Sequence, residues 1–222
     1  MPGLFGLSNH SWLRNRLLAR VSDKTGLETL IPGLLRANPN IKIYSTGGTY
    51  RAIESILGPD SAGLVPISEY TGQPEMRGGL VKTLDFRIYV GLLSETYNDD
   101  HRSDLARLEA IPFDLVLVNL YPFGDAVQKE GSDVEDARGN IDIGGPAMLR
   151  AAAKNFLRVL PVCDPRDYSG ILAELENGDG AVSLDTRLNM AKKAFDHTAS
   201  YDRAIADYLS EVRVDELAST YT

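Results

Sequence analysis

The chain has 222 residues, of which 43% are hydrophobic and 24% charged, with a formal net charge of −8 at pH 7. These values exclude a collagenous, low-complexity or charge-expanded disordered chain and leave a globular one, long enough to bury a sizeable core. The acidic balance, with no segregated basic patch, argues against a nucleic-acid backbone as partner, while a small anionic ligand stays open because local N–H groups and a few lysines outweigh distant charge.

In chain order, Leu17-Leu-Ala-Arg-Val21 reads as a strand and residues 25–35 as a helix, despite Pro32 and Gly33 in its later turns. Ile41-Lys-Ile-Tyr44 is a second strand, Tyr50 to Leu57 a second helix, and Leu64-Val-Pro-Ile67 a short edge strand because of Pro66. Residues 68–79 read as loop. The apolar run Arg87-Ile-Tyr-Val-Gly-Leu-Leu93 is followed by a polar stretch and a helix over 103–109. Asp114-Leu-Val-Leu-Val-Asn-Leu-Tyr121 is the clearest strand, a continuous apolar run suited to a place covered on both faces and stopped by Pro122. An alanine-rich helix ending near Lys154, a strand over 158–162, and helices over 168–176 and 184–211 (the last interrupted near His197) complete the chain. Cys163, the only cysteine, excludes an intrachain disulfide and reads as a small buried hydrophobe. No signal peptide and no apolar run of roughly 20 residues is found, so a cytoplasmic location is expected. The alternation predicts a three-layer α/β fold, a mostly parallel central sheet flanked by helices, as one domain over 1–222 whose first dozen and last few residues are loosely held.

Two strand-to-helix turns, Val21-Ser-Asp-Lys-Thr-Gly26 and Tyr44-Ser-Thr-Gly-Gly-Thr49, have the make-up of phosphate cradles. Glycine lets the backbone approach an oxyanion, and a helix start offers free N–H groups and a positive dipole end. Ser22, Ser45, Thr46 and Thr49 add hydroxyls and Lys24 a charge; capping alone explains either turn equally well. Asp142 precedes the turn Gly144-Gly145-Pro146, with Pro146 near the first position of the helix that ends at Lys154. Asp142 serves either as its N-cap or as a site carboxylate, and Lys154 either complements the helix dipole or acts in chemistry. Tyr121 ends the clearest strand and faces either a crevice or water. His10, His101 and His197 lie far apart without metal-ligand spacing, and His197 reads as packed.

Taken in order, the motifs Ser22-Asp-Lys-Thr-Gly26, Ser45-Thr-Gly-Gly-Thr49, Pro74-Glu-Met76, Val81-Lys-Thr-Leu84, Val118-Asn-Leu-Tyr-Pro-Phe123, Ile141-Asp-Ile-Gly-Gly145, Ala151-Ala-Ala-Lys-Asn155 and Ala194-Phe-Asp-His-Thr198 resemble the inosine monophosphate cyclohydrolase domain, usually the N-terminal half of a bifunctional purine-biosynthesis enzyme. The resemblance runs from about Leu17 to Leu209. It implies a methylglyoxal-synthase-like fold and dehydrative ring closure of formyl-aminoimidazole-carboxamide ribotide to inosine monophosphate, with no metal and no organic cofactor. It implies Lys82, Tyr121, Asp142 and Lys154 as catalytic residues. It implies substrate binding by Ser22, Lys24, Thr25, Gly26, Ser45, Thr46, Gly47, Gly48, Thr49, Thr83, Asn119, Ile143, Gly144 and Gly145. The partner expected is a small nucleotide, with no nucleic acid and no membrane. A homodimer is an open assembly state, and a separate formyltransferase would supply the formylated substrate. The sequence departs from the family pattern at Leu80, where an arginine is usual, at Asp85 and Tyr89 (histidines), at Phe86 (a proline) and at Phe156 (commonly a histidine). Two other readings stand beside the enzyme: a non-catalytic purine-nucleotide-binding module and a methylglyoxal synthase, both on the same fold.

Overall fold

The computed structural model describes residues 10–12, 15–73, 83–121, 123–127, 133–178, 180–214 and 217. Its centre is a five-stranded parallel sheet built from β2 (Arg16–Val21), β3 (Lys42–Ser45), β4 (Leu64–Pro66), β5 (Leu115–Asn119) and β6 (Leu160–Val162), in the order β4-β3-β2-β5-β6. A separate antiparallel pair joins β1 (His10–Trp12) to β7 (Ala181–Ser183). The helices are α1 (Leu27–Ala37), α2 (Gly47–Leu57), α3 (Ile67–Thr71), α4 (Phe86–Leu93), α5 (Asp99–Arg107), α6 (Phe123–Val127), α7 (Val134–Gly139), α8 (Gly144–Lys154), α9 (Tyr168–Asn177) and α10 (Leu184–Glu211).

Strand alternation sorts the core into two layers. Leu17, Ala19 and Val21 of β2 pack with Leu27, Leu30, Ile31 and Leu34 of α1 and with Ile171 and Leu175 of α9. Leu18, with Val116 and Val118 of β5, packs against Ile88 of α4, Met148 and Leu149 of α8 and Ala194 of α10. With both faces covered, all five residues of β5 are buried, as the unbroken apolar run requires.

Pro32 is accommodated inside α1, and Gly33 after it lets α1 meet α9: a Cβ there would stand 2.6 Å from Leu172 Cδ2. Gly91 serves the same end in α4, where a Cβ would fall 2.1 Å from the Ile111 carbonyl oxygen. Arg158 closes that corner. Its buried guanidinium donates to the carbonyls of Gly91, Leu92, Ser94 and Phe113 at 2.6–3.2 Å and lies 3.5 Å from Asp114 Oδ1. Those carbonyls at the end of α4 have no partner within the helix, so the guanidinium does the work of a C-cap.

Several boundaries differ from the sequence reading. The segment read as loop from Ser68 opens inside α3, whose end is set by Gly72 in the left-handed conformation. α5 begins one turn earlier than expected because Asn98 caps it, accepting from the N–H groups of Asp100 and His101. α2 starts at Gly47 rather than Tyr50, β6 starts at Leu160 rather than Arg158, and α10 runs unbroken through His197. The sheet is wholly parallel among the described residues.

Candidate active site

The strand order places β3 and β4 on one side of β2 and β5 and β6 on the other, so the connections reverse direction between β2 and β5. Ligands of open parallel sheets bind outside the strand C-termini at such a reversal. Val21-Ser22 leaves β2 there and Asn119 ends β5.

Asn119 fastens the first turn. Its Oδ1 accepts from the N–H groups of Ser22 (2.5 Å) and Asp23 (2.9 Å), and its Nδ2 donates to the Asp23 carbonyl (2.9 Å). Gly26 follows with φ +77°, packed on the Tyr168 ring, and α1 begins. Lys24 folds its amine back onto the Val21 and Ser22 carbonyls, and burial, more than its neighbours' charges, lowers its pKa. Thr25 is exposed, its N–H held by Asp23.

The second turn is tied to the first. Ser45 Oγ donates to the Ala19 carbonyl (2.9 Å), and Thr49 Oγ1 both donates to the Val21 carbonyl and accepts from its N–H (3.0 Å each). These hydroxyls, expected as ligand donors, are therefore engaged in joining the turns. What α2 presents outward is its first turn: Thr46 gives it no side-chain cap, and the N–H groups of Gly47 and Gly48 lie at its positive end.

Asp142 is 8% exposed and stands one residue before Ile143, the N-cap of α8; Pro146 is therefore third rather than first in the helix. Its Oδ1 accepts from the Gly145 N–H (3.0 Å), its N–H donates to the Tyr201 hydroxyl (2.7 Å), and its Oδ2 receives Nη1 of Arg20. Asp142 is therefore not the N-cap itself, although its carboxylate takes up one N–H of the first turn of α8. A Cβ on Gly145 would stand 2.5 Å from Asp142 Oδ2 and 2.7 Å from Arg20 Nη1, and one on Gly144 would stand 2.6 Å from the Thr83 hydroxyl. Gly145→Ala is therefore expected to displace the carboxylate and, on the catalytic reading proposed below, to lower kcat by roughly 100-fold; steady-state rates beside a thermal melt check it.

The structure thus gathers Ser22, Asn119, Asp142, Gly144, Gly145 and Thr83 at one end of the sheet. Ile143 is exposed beside them, and Tyr121, 53% exposed, leaves the end of β5. Lys154 is not brought to them. It ends α8 ten residues beyond Gly144, about 15 Å along the axis at 1.5 Å per residue, farther than a lysine side chain spans. Lys82 and Leu80 lie outside the described residues.

Arg20 was missed as a site residue. The only local hint was a charge near the end of a short apolar strand, which reads as readily as a strand end, and the carboxylate it meets lies 122 residues away. Tyr201 left no such signal, being one more aromatic residue on the apolar face of α10.

A cleft of about 680 Å³ opens beside Ser22 and Asn119 and extends toward Cys163, Asp164, Lys193 and His197. Lys193 bridges Asp164 and Asp167 at 2.8 Å each. The Arg166 guanidinium, with Lys193, holds the Asp164 carboxyl well below the usual carboxylate range. His197 is half-buried with Nε2 unpartnered. Burial, with help from the Lys193 charge and against the opposing carboxylates of Asp164 and Asp196, lowers its pKa, so the folded chain keeps the ring neutral where the unfolded chain takes up a proton. The unfolded state then binds more protons, and stability falls as pH drops through about 6.5. Asp164, also depressed, adds its loss only in the more acidic carboxylate range. Urea midpoints are expected to decline from about pH 7 to about pH 5.5, with a flatter profile in His197→Gln.

Residues 29–147, more than half the chain, match the family described as the MGS-like domain. The chain belongs to that family. In this MGS-like chain residues 152–222 also match the family described as the AICARFT/IMPCHase bienzyme. It is 44% identical over 201 residues to the bifunctional purine biosynthesis protein PurH of Leuconostoc mesenteroides, covering 90% of this chain and 38% of that protein. It is 47% identical over 197 residues to PurH of Sorangium cellulosum, covering 89% and 36%. A solved structure titled "Crystal structure of ForH" superposes with a TM-score of 0.77 at 35% identity, covering 88% of this chain and 96% of that one. The chain thus spans under two-fifths of these two PurH proteins, and its likeness is to the part consistent with the IMP cyclohydrolase portion.

Proposed function

We propose that this chain closes the purine ring, converting formyl-aminoimidazole-carboxamide ribotide to inosine monophosphate and water. The likeness to PurH, an enzyme of purine biosynthesis, supports a role in that pathway. The observation that carries the finer reading is Asp142, a buried carboxylate at the sheet's reversal point, aimed by Gly145 and Tyr201 and paired with Arg20.

The reaction needs a carboxamide nitrogen to attack the neighbouring formyl carbon. One proton leaves that nitrogen as the C–N bond forms. A second leaves the formamido nitrogen as the C–O bond breaks. Both end on the departing oxygen, giving water. Asp142 is suited to accept from the carboxamide N–H and orient its lone pair, which for an intramolecular closure supplies much of the rate. The formyl oxygen gains negative charge and needs donors, the role proposed for Lys82, Tyr121 and Lys154. Lys154 would have to reach the site from a second copy of the chain, given its place at the far end of α8. The phosphate would rest on the first turn of α2 beside Ser22. No cofactor is invoked, and a separate formyltransferase would make the substrate.

One observation favours a second reading, a nucleotide-binding module without turnover: the Asp142 carboxylate already holds the Arg20 guanidinium, and a binding site needs no more. Mixing the purified chain with the formylated ribotide, free of folate, and following inosine monophosphate by absorbance separates the two. Turnover above the uncatalysed rate supports the enzyme; tight product binding without turnover supports the module.

A further inference from the structure

We propose that Arg20 determines ligand specificity, forming with Asp142 a donor–acceptor edge that reads a primary carboxamide on the ligand's ring. The inference rests on the crevice being a ribotide site, and deepens that reading.

Arg20 is placed by its strand. It pairs in register with Val118 of β5, one residue before the Val21–Asn119 pair. Its side chain is 28% exposed, against 3% for Asp142, so the guanidinium forms the open side of the pair. One nitrogen lies on Asp142 Oδ2. A guanidinium carries five N–H donors, and the remaining ones have no hydrogen bond among the described residues. The pair sits directly on the Gly-Gly turn, where any Cβ at Gly145 would strike both partners. Such a close fit sets the two groups side by side at a fixed spacing.

The hydroxyl of Tyr89 adds a second observation. It is buried without a hydrogen-bond partner, on α4, within electrostatic range of Arg20 and Asp142. Burial pushes it up to about 12, so it is a neutral donor at physiological pH. A buried hydroxyl lacking a partner costs stability, and a ligand acceptor at the pair would supply one.

Charge decides which ligand group fits. A carboxylate or phosphate laid on Arg20 would meet the like charge of Asp142. A primary amide presents an oxygen to the guanidinium and an N–H to the carboxylate, both without added charge. The same contact fixes the amide nitrogen that the proposed ring closure uses.

Two ribotides test this by titration calorimetry, without turnover: aminoimidazole-carboxamide ribotide and the same ribotide lacking the carboxamide. The parent chain is expected to prefer the carboxamide by at least about tenfold. Arg20→Gln should cut that preference below about threefold while changing affinity for the amide-free ribotide less than about twofold. Arg20→Lys keeps the charge but offers its donors from one point, and should fall between the two; if the glutamine variant does not fold, this variant decides. An unchanged preference in the folded variants overturns the proposal, as does an equal loss for both ribotides, which would place Arg20 on the phosphate. A parent without preference overturns it too. Absence of ring closure alone overturns the cyclohydrolase reading and leaves the ratio to decide the role of Arg20.

Discussion

Asp142→Asn is expected to lower kcat by about 100- to 10,000-fold, the range typical of losing a positioned acid–base group, while leaving the melting temperature within a few degrees. Asparagine keeps an oxygen for the Gly145 N–H and the backbone that donates to Tyr201. It loses the charge that faces Arg20 and the basic lone pair that the proposed mechanism offers to a carboxamide. A rate assay and a thermal melt on the same preparation measure both quantities. A variant retaining a tenth or more of parental kcat would remove Asp142 from the chemistry and leave it as a partner of the first turn of α8.

The largest loss of stability is expected at Arg158. Arg158→Met preserves length and burial but removes the guanidinium donors at the end of α4, leaving Asn155 Nδ2 on the Leu92 and Ser94 carbonyls and the Phe113 N–H on that of Gly91, and it removes the cation beside Asp114, a residue only 5% exposed. Breaking a buried, hydrogen-bonded ion pair from one side costs about 3–5 kcal/mol. Part of that cost should return in Arg158→Met/Asp114→Asn, because the carboxylate charge is then gone while the carbonyls of Gly91, Leu92, Ser94 and Phe113 still lack the guanidinium's hydrogen bonds. Urea unfolding of the parent, the single variant and the double variant closes this cycle.

Elements with a strong local pattern were legible in the sequence. β5 was readable because a parallel strand covered on both faces needs an unbroken apolar run, and Leu115 to Asn119 supply it. The two glycine turns were readable because each joins a strand to a helix. What they do was less so: nothing local shows that Ser45 and Thr49 would turn their hydroxyls onto Ala19 and Val21, since those bonds exist only once β2 and β3 lie side by side. Arg20 was hidden for a similar reason. Its partner is 122 residues away, and a lone arginine in a short strand reads as an end rather than as a site. The early start of α5 follows from the Asn98 cap, which outweighs the poor helix propensity of the aspartates in its first turn, whereas α2 begins on two glycines of low propensity with no side-chain cap to mark it. Arg158 looked like strand because it adjoins Val159 and Leu160, whereas its side chain reaches back to close another helix.

The bonds from Asn119, Ser45 and Thr49 join three neighbouring strand ends into one stiff frame before any ligand arrives. On the proposed reading, a nucleotide that bridges the two turns meets an entropy loss already borne during folding rather than one owed on association. Encounter, not rearrangement, should then limit how fast it is captured at that end of the sheet.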